Sequence, residues 1–259
     1  IKVTQDGTGS APQAIAVTST EESVDPVNIT IPDGMGITLP SAVKVNYNSS
    51  AGRYSIMRAV TWGTLTEGKA EGVIDGCSLK ASATVTESEE TAAGTELATK
   101  KAAATACFTG STNNYPEKMV DGNASTSWTN AYNRGASVLL PANSASRRSE
   151  YIEFSWDESQ VMNQIELAFS DGRGKAIPSV LEVQYWDGGG WAKVQNQVKL
   201  TIAKTAKIQF KTVYAEKLRV YMENATPYTA NGNMEITEVS VKLSKEEFGT
   251  QAILSAGDI

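Results

Sequence analysis

The sequence of 259 residues contains no histidine and only two cysteines, Cys77 and Cys107. Without imidazole there is no Ser-His or Cys-His nucleophile. Most zinc and other transition-metal chemistry loses its preferred ligands as well. Basic residues are outnumbered: 23 Lys and Arg stand against 29 Asp and Glu, a net charge of −6. Nucleic-acid binding needs a basic footprint and so does attraction to an anionic membrane surface, and neither footprint is present. No apolar run is long enough to span a bilayer. The two cysteines fall in different domains in the division made below, which leads us to expect two free, buried thiols rather than a disulfide. The chain opens at Ile1 rather than at a methionine, and we expect it to be a fragment of a longer protein whose targeting signals, anchors and catalytic domain lie outside it.

What is present is enough apolar residue for ordinary cores, 41% of the chain against 20% charged. Residues 1–26 are polar and read as a linker or the tail of a preceding domain. From Val27 the pattern alternates. Val27-Asn-Ile-Thr-Ile31, Ala42-Val-Lys-Val-Asn-Tyr47, Arg58-Ala-Val-Thr-Trp62 and Leu79-Lys-Ala-Ser-Ala-Thr-Val-Thr86 each place apolar residues on one face. Pro32-Asp-Gly34, Asn48 to Gly52 and Asp75-Gly76 break them with turn chemistry. Short alternating strands interrupted this often indicate a small β-sandwich over 27–88. An acidic and then Ala/Thr-rich stretch, 89–100, marks a linker. A larger β-domain follows over 101–244. Its strands are Tyr151–Trp156, Gln164–Phe169, Leu181–Tyr185, Lys207–Phe210, Lys217–Met222 and Ile236–Val241, with a hairpin signal at Trp186-Asp-Gly-Gly-Gly-Trp191. Residues 245–259 read as a C-terminal tail. The fold class is therefore all-β, two sandwiches in series.

One run stands apart, Met119-Val-Asp-Gly-Asn-Ala-Ser-Thr-Ser-Trp128. Asp121, Asn123 and Thr126 offer hard oxygens, Gly122 permits a sharp bend, and Trp128 can pin the run to a core. Spacing alone is satisfied by an Asx-turn around Gly122 with no metal. An EF-hand is excluded, because the twelfth residue from Asp121 is Tyr132 rather than glutamate.

The second domain resembles the discoidin-like, or coagulation factor V/VIII C-type, family, and within it carbohydrate-binding module family 32. The resemblance is carried in order by Val120–Trp128, Tyr151–Trp156, Ile177-Pro178 with Leu181–Gly188, Trp191–Val194, Lys217–Val220 and Ile236–Val241. The first domain is similar to bacterial Ig-like domains through Leu39-Pro40, Val43–Tyr47, Val60–Trp62, Glu71–Gly76 and Ala81–Val85. The discoidin-like resemblance implies a jelly-roll sandwich with a structural Ca²⁺. Its ligands by position are Asp121, Asn123 and Thr126, the Met119 carbonyl, and Glu238 from the last strand. It also implies a sugar site on loops at the calcium end. Tyr132, Asn133 and Arg134 lie in one such loop, Arg173 in a second, and Tyr228 and Asn231 (with Asn233) in a third. Rings, amides and arginine suit neutral or acidic sugars. Galactose-binding relatives commonly use a histidine, which this chain lacks, so the expectation is either a variant sugar specificity or the loss of glycan binding.

The expectation is a non-catalytic, monomeric glycan-binding module with an Ig-like spacer. It would belong to a secreted or cell-surface bacterial glycoside hydrolase. The alternative is an adhesion or scaffold segment whose partner is a protein. Lipid recognition ranks last, because the loops are polar and the chain acidic. A glycosidase within these residues is disfavoured: Glu150 and Glu153 form a carboxylate pair, but they read as a solvated strand end. Trp62, Trp128 and Trp156 are expected in cores, and Trp186 and Trp191 paired across their hairpin.

Overall fold

A computed structural model describes residues 18–88, 102–110, 113–130, 149–170, 177–202, 204–223 and 234–244. The expected linker 89–100 and tail 245–259 lie outside these residues, as do Tyr132, Asn133, Arg134, Arg173, Tyr228 and Asn231. The chain adopts the expected all-β architecture of two sandwiches.

The first contains β1 (Ser19–Val24), β2 (Val27–Ile31), β3 (Ala42–Ser49), β4 (Gly52–Trp62), β5 (Lys69–Ile74) and β6 (Lys80–Glu87). They follow the order β1-β3-β4-β5-β6-β2. β4 serves both layers: residues 52–59 pair with β3 and residues 60–62 with β5. β2 closes the second layer parallel to β6. Strict alternation in β2, β5 and β6 sends every second side chain into a core that includes Ile29, Val45, Val60, Ile74 and Ala83. The sandwich begins earlier than the sequence suggested. Ser19–Val24, taken as the end of a polar linker, is an edge strand on β3 with a bulge between Glu21 and Ser23. None of its residues is fully buried, so it shows no apolar alternation. Pro26, without an N–H, stands where the chain changes layers.

The second sandwich contains β7 (Ala103–Ala106), a 3₁₀ turn at Pro116–Met119, β8 (Trp128–Thr129), β9 (Ser149–Phe169), β10 (Val180–Trp186), β11 (Trp191–Lys193), β12 (Val198–Ile202), β13 (Thr205–Glu223) and β14 (Glu235–Lys242). The runs read as four separate strands are two continuous ones, β9 of 21 residues and β13 of 19. They pair antiparallel along their length, with irregularities between Gln209 and Val213 and between Ala215 and Lys217. In β9 the buried parity is even at Glu150, Ile152, Phe154 and Trp156, and odd at Ile165, Leu167 and Phe169. The side chains change face across 157–164, as bulging in a paired strand allows. The first half of β9 lies in one layer with β7, the second half of β13, β10 and β11. Its second half lies in the other with the first half of β13, β12, β14 and β8. One core unites residues of both halves, so the two long strands fold over.

The fold-over end meets the first sandwich. Thr38 N donates to Thr212 O at 3.2 Å and forms a parallel bridge with Val213. Ser41 N and Ala42 N both donate to Asp187 O, at 3.1 and 3.2 Å. Val161 and Tyr214 pack onto the first core. Asp187 heads the expected hairpin, where Trp186 pairs with Trp191 edge-to-face at 5.7 Å. Its Oδ1 accepts from Gly189 N and Gly190 N. Gly188 has φ +97°, and a Cβ there would lie 2.9 Å from Ala42 Cβ and 3.1 Å from Ala42 O. Glycine is thus what lets the hairpin sit against the first domain.

Candidate functional site

The Asp121 run is an exposed loop held at both ends by the core. Met119, closing the 3₁₀ turn, and Trp128, in β8, are both 0% exposed, and the Trp128 indole N–H donates to Phe108 O at 3.1 Å. Between them the loop closes on itself. Asp121 Oδ1 accepts from Asn123 N at 2.9 Å, and Oδ2 accepts from the Thr126 hydroxyl at 2.7 Å. Asn123 Oδ1 accepts from Ser125 N, and Asn123 O from Thr126 N. Gly122 takes φ +73°. This is an Asx-turn in geometry, and its oxygens are also the hard donors a calcium ion takes. The 3₁₀ turn packs against β14, the strand that carries Glu238 just beyond a bulge at Thr237. Glu238 Oε2 is shielded from solvent. The donor set of two carboxylates with amide, hydroxyl and carbonyl oxygens fits a hard cation. Among the described residues no three His, Cys, Asp or Glu converge as a metal group. Neutral oxygens would therefore have to complete any shell.

The strand ends show where the candidate ligand loops start. Because β9 and β13 fold over, their termini return to the rim opposite the first sandwich. Ser149 pairs with Glu223, Ser170 N donates to Glu235 O at 2.9 Å, and Phe169 N donates to Lys204 O at 2.7 Å. Thr129 pairs with Glu235, and the Ser127 hydroxyl donates to Glu235 Oε1. The segments 131–148, 171–176 and 224–233, which contain the six expected contact residues, are therefore all rooted at one rim. The Asp121 loop is anchored beside it.

Glu150 is not a solvated strand end. It is 1% exposed, on the core face of β9, and its oxygens accept from Cys107 Sγ at 2.6 Å and Asn130 Nδ2 at 3.4 Å. Its even parity with Ile152 and Phe154 was the available signal. Glu153, on the opposite face, pairs with Arg219, whose guanidinium lies 3.9 Å from the Trp191 ring centroid and 4.3 Å from that of Tyr151. The two carboxylates thus point to opposite sides of a sheet and cannot flank one glycosidic bond. Neither Cys77 nor Cys107 is in a disulfide, as expected, though both thiols are half-buried rather than fully buried. A cleft of about 390 Å³ at the joint is lined by Asp25, Lys44, Met57, Asp157, Trp186 and Tyr214, at the end of the sandwich away from the rim.

No family model and no curated protein matches the chain. Among solved structures, the chain is similar to a variant of chitosan-binding module 1 from a chitosanase/glucanase of Paenibacillus sp. IK-5. The TM-score is 0.40 at 20% identity, covering 56% of this chain and 97% of that one. It is also similar to the β-galactosidase BgaA of Streptococcus pneumoniae, with TM-score 0.45 at 17% identity, covering 57% and 99%. A third is the family 32 carbohydrate-binding module of Clostridium perfringens NanJ, solved with galactose, with TM-score 0.41 at 15% identity, covering 56% and 96%.

Proposed function

We infer that the second sandwich is a non-catalytic glycan-binding module of the family 32 type, carried on a bacterial Ig-like spacer. Its role is to hold a secreted or surface-attached glycoside hydrolase near its substrate, raising effective concentration. The observation that carries this reading is the common rim. The loops bearing Tyr132, Asn133, Arg134, Arg173, Tyr228 and Asn231 all start from it. It also lies at the end of the sandwich away from the joint formed by Thr38, Ser41 and Ala42 with Thr212 and Asp187. The six ordered motifs that carry the resemblance support the same reading.

Calcium, held by Asp121, Asn123, Thr126, the Met119 carbonyl and Glu238, would be structural. It would add a charged tie between the loop and β14, and no step of chemistry depends on it. The test is a glycan array with and without EDTA, repeated with Tyr132→Ala and Arg173→Ala. Binding to at least one sugar, weakened about tenfold by either substitution, is expected. A response to no sugar, with capture of a protein partner, replaces this reading with the scaffold alternative.

A further inference from the structure

Every open sheet has edges, and their unpaired N–H and C=O groups invite another strand unless the chain guards them. In the first sandwich β1 and β2 are guarded. β1 carries a bulge and the charges of Glu21 and Glu22. β2 is five residues long and lies between Pro26 and Pro32. A further edge belongs to the first half of β4, which pairs with β3 alone because β5 joins only at Val60. The β3–β4 register runs unbroken from Ala42–Ala59 to Ser49–Gly52, so this stretch has neither bulge nor proline.

The direction of its free groups follows from the bonds at its far end. Val60 N donates to Ser41 O at 2.8 Å, toward β3, and Ala59 O accepts from Asp75 N at 3.0 Å, on the other side. Main-chain groups alternate sides along an antiparallel strand. Arg53, Ser55 and Met57 therefore turn their N–H and C=O away from β3, and no strand among the described residues meets them. Their neighbours' side chains lean the other way. Arg53 reaches across β3 to Glu22 at 2.6 Å, Ser55 Oγ donates to Asn46 Oδ1 at 2.6 Å, and the Tyr54 ring stacks on Tyr47 at 5.2 Å. Arg58 is engaged with Asp75 O and Gly76 O. Tyr54, Ile56 and Met57 stay 42%, 40% and 46% exposed.

The stretch is complementary to itself. Two copies paired antiparallel about Ser55 place Tyr54 opposite Ile56, Arg53 opposite Met57 and Gly52 opposite Arg58. Aromatic and β-branched partners favour each other across strands, and no like charges face. Outward-facing residues meet outward-facing ones in this register, as the ladder requires. The β1-β3-β4 layers of both copies then join as one sheet about a two-fold axis.

We propose that residues 52–58 of β4 are a homodimer interface, the strand adding to its counterpart in a second copy of this chain. A concentration-dependent dimer thus takes the place of the monomer expected from the sequence. A single strand edge falls in the class of interfaces below about 1,200 Å², where association is transient. Nothing in it depends on what the rim of the second sandwich binds.

Sedimentation velocity of the whole chain from about 10 to about 500 μM, with amide exchange at both ends of that range, is the test. A dimer is expected to grow in with concentration. In it the Arg53, Ser55 and Met57 amides exchange at least about fivefold more slowly, while Tyr54 and Ile56, already turned toward β3, keep their rates. Ser55→Pro removes an edge donor without touching the β3 ladder, and Ile56→Lys brings a charge to the exposed face opposite Tyr54. Either should raise the dimer dissociation constant at least about tenfold with the thermal midpoint little changed. Val73→Lys, at a 67% exposed site off this edge, should leave it as in the wild type.

A monomer at every concentration overturns the proposal. So does a dimer that Ser55→Pro and Ile56→Lys both leave intact, or one that Val73→Lys also abolishes, which marks unspecific apolar association. A dimer in which the Arg53, Ser55 and Met57 amides gain no protection overturns it as well, because the copies then meet elsewhere.

Discussion

At Asp187 two opposing effects act on one carboxyl. Burial disfavours its charged form, but the Ser41 hydroxyl and the Gly189 and Gly190 amides outweigh that effect and hold its pKa below the usual value. A pKa depressed by folding adds stability at pH above the unfolded value, about 3.9. That stability is lost as pH falls through the folded value. The hairpin and the joint it supports should therefore weaken below about pH 4. Denaturation midpoints of the wild type and Asp187→Asn, taken from pH 6 to pH 3, should converge at the acid end. A gap that stays constant over that range would exclude the carboxylate as its source. At Trp128 the expected effect is larger. Its indole is wholly buried and its N–H is bonded, so Trp128→Ala should cost about 3–5 kcal/mol in chemical denaturation. Asp121→Ala tests the neighbouring loop: a Ca²⁺-dependent rise in thermal midpoint, predicted for the wild type by mass action, should disappear in the variant.

The decisive elements are the two long strands. The polar interruption at Asp157–Gln160 looks like a turn because it breaks apolar alternation, yet the strand runs on through it, its pairing with β13 stopping at Ser155 and resuming at Gln160 across a bulge. Asn163 sits within this change of face and is 2% exposed. Its Nδ2 donates to Ser244 O at 2.8 Å and its Oδ1 accepts from Ser244 N at 2.7 Å, tying the end of β14 to β9. Asn163→Ala leaves both Ser244 groups without this partner and should cost about 1–3 kcal/mol, with the Ser244 amide exchanging early. The strands that fill the two cores, such as β2, β3, β6, β10 and β14, were legible from alternation. Strand continuity was not, because a bulge resets parity and resembles an end. The weak alternation of β1 hid that strand for a related reason: an edge strand exposed on both faces has no apolar period.

For the molecule as a whole, the joint decides how the parts work together. The Thr38 bridge, the shared Asp187 carbonyl, and Val161 and Tyr214 set into the first core make the contact specific. A single calorimetric transition is expected for the wild type. Gly188→Val, strained by φ +97° and crowded by Ala42 and Met57, should split it into two. A variant that still melts in one transition would show that the sandwiches are coupled by other contacts.

Composition and alternation determined the all-β class, the two sandwiches and the Trp186–Trp191 hairpin, because period-two burial and turn chemistry are local properties of a chain. They also identified the Asp121 loop as either an Asx-turn or a cation site, since its oxygens lie within six residues. Only the tertiary structure showed Glu150 as a buried anchor rather than a solvated strand end. Only it brought the roots of 131–148, 171–176 and 224–233 to one rim, and it set the first domain at the opposite end. Those relations depend on two strands folding over, which pairs residues tens of positions apart, and no window along the sequence contains both partners.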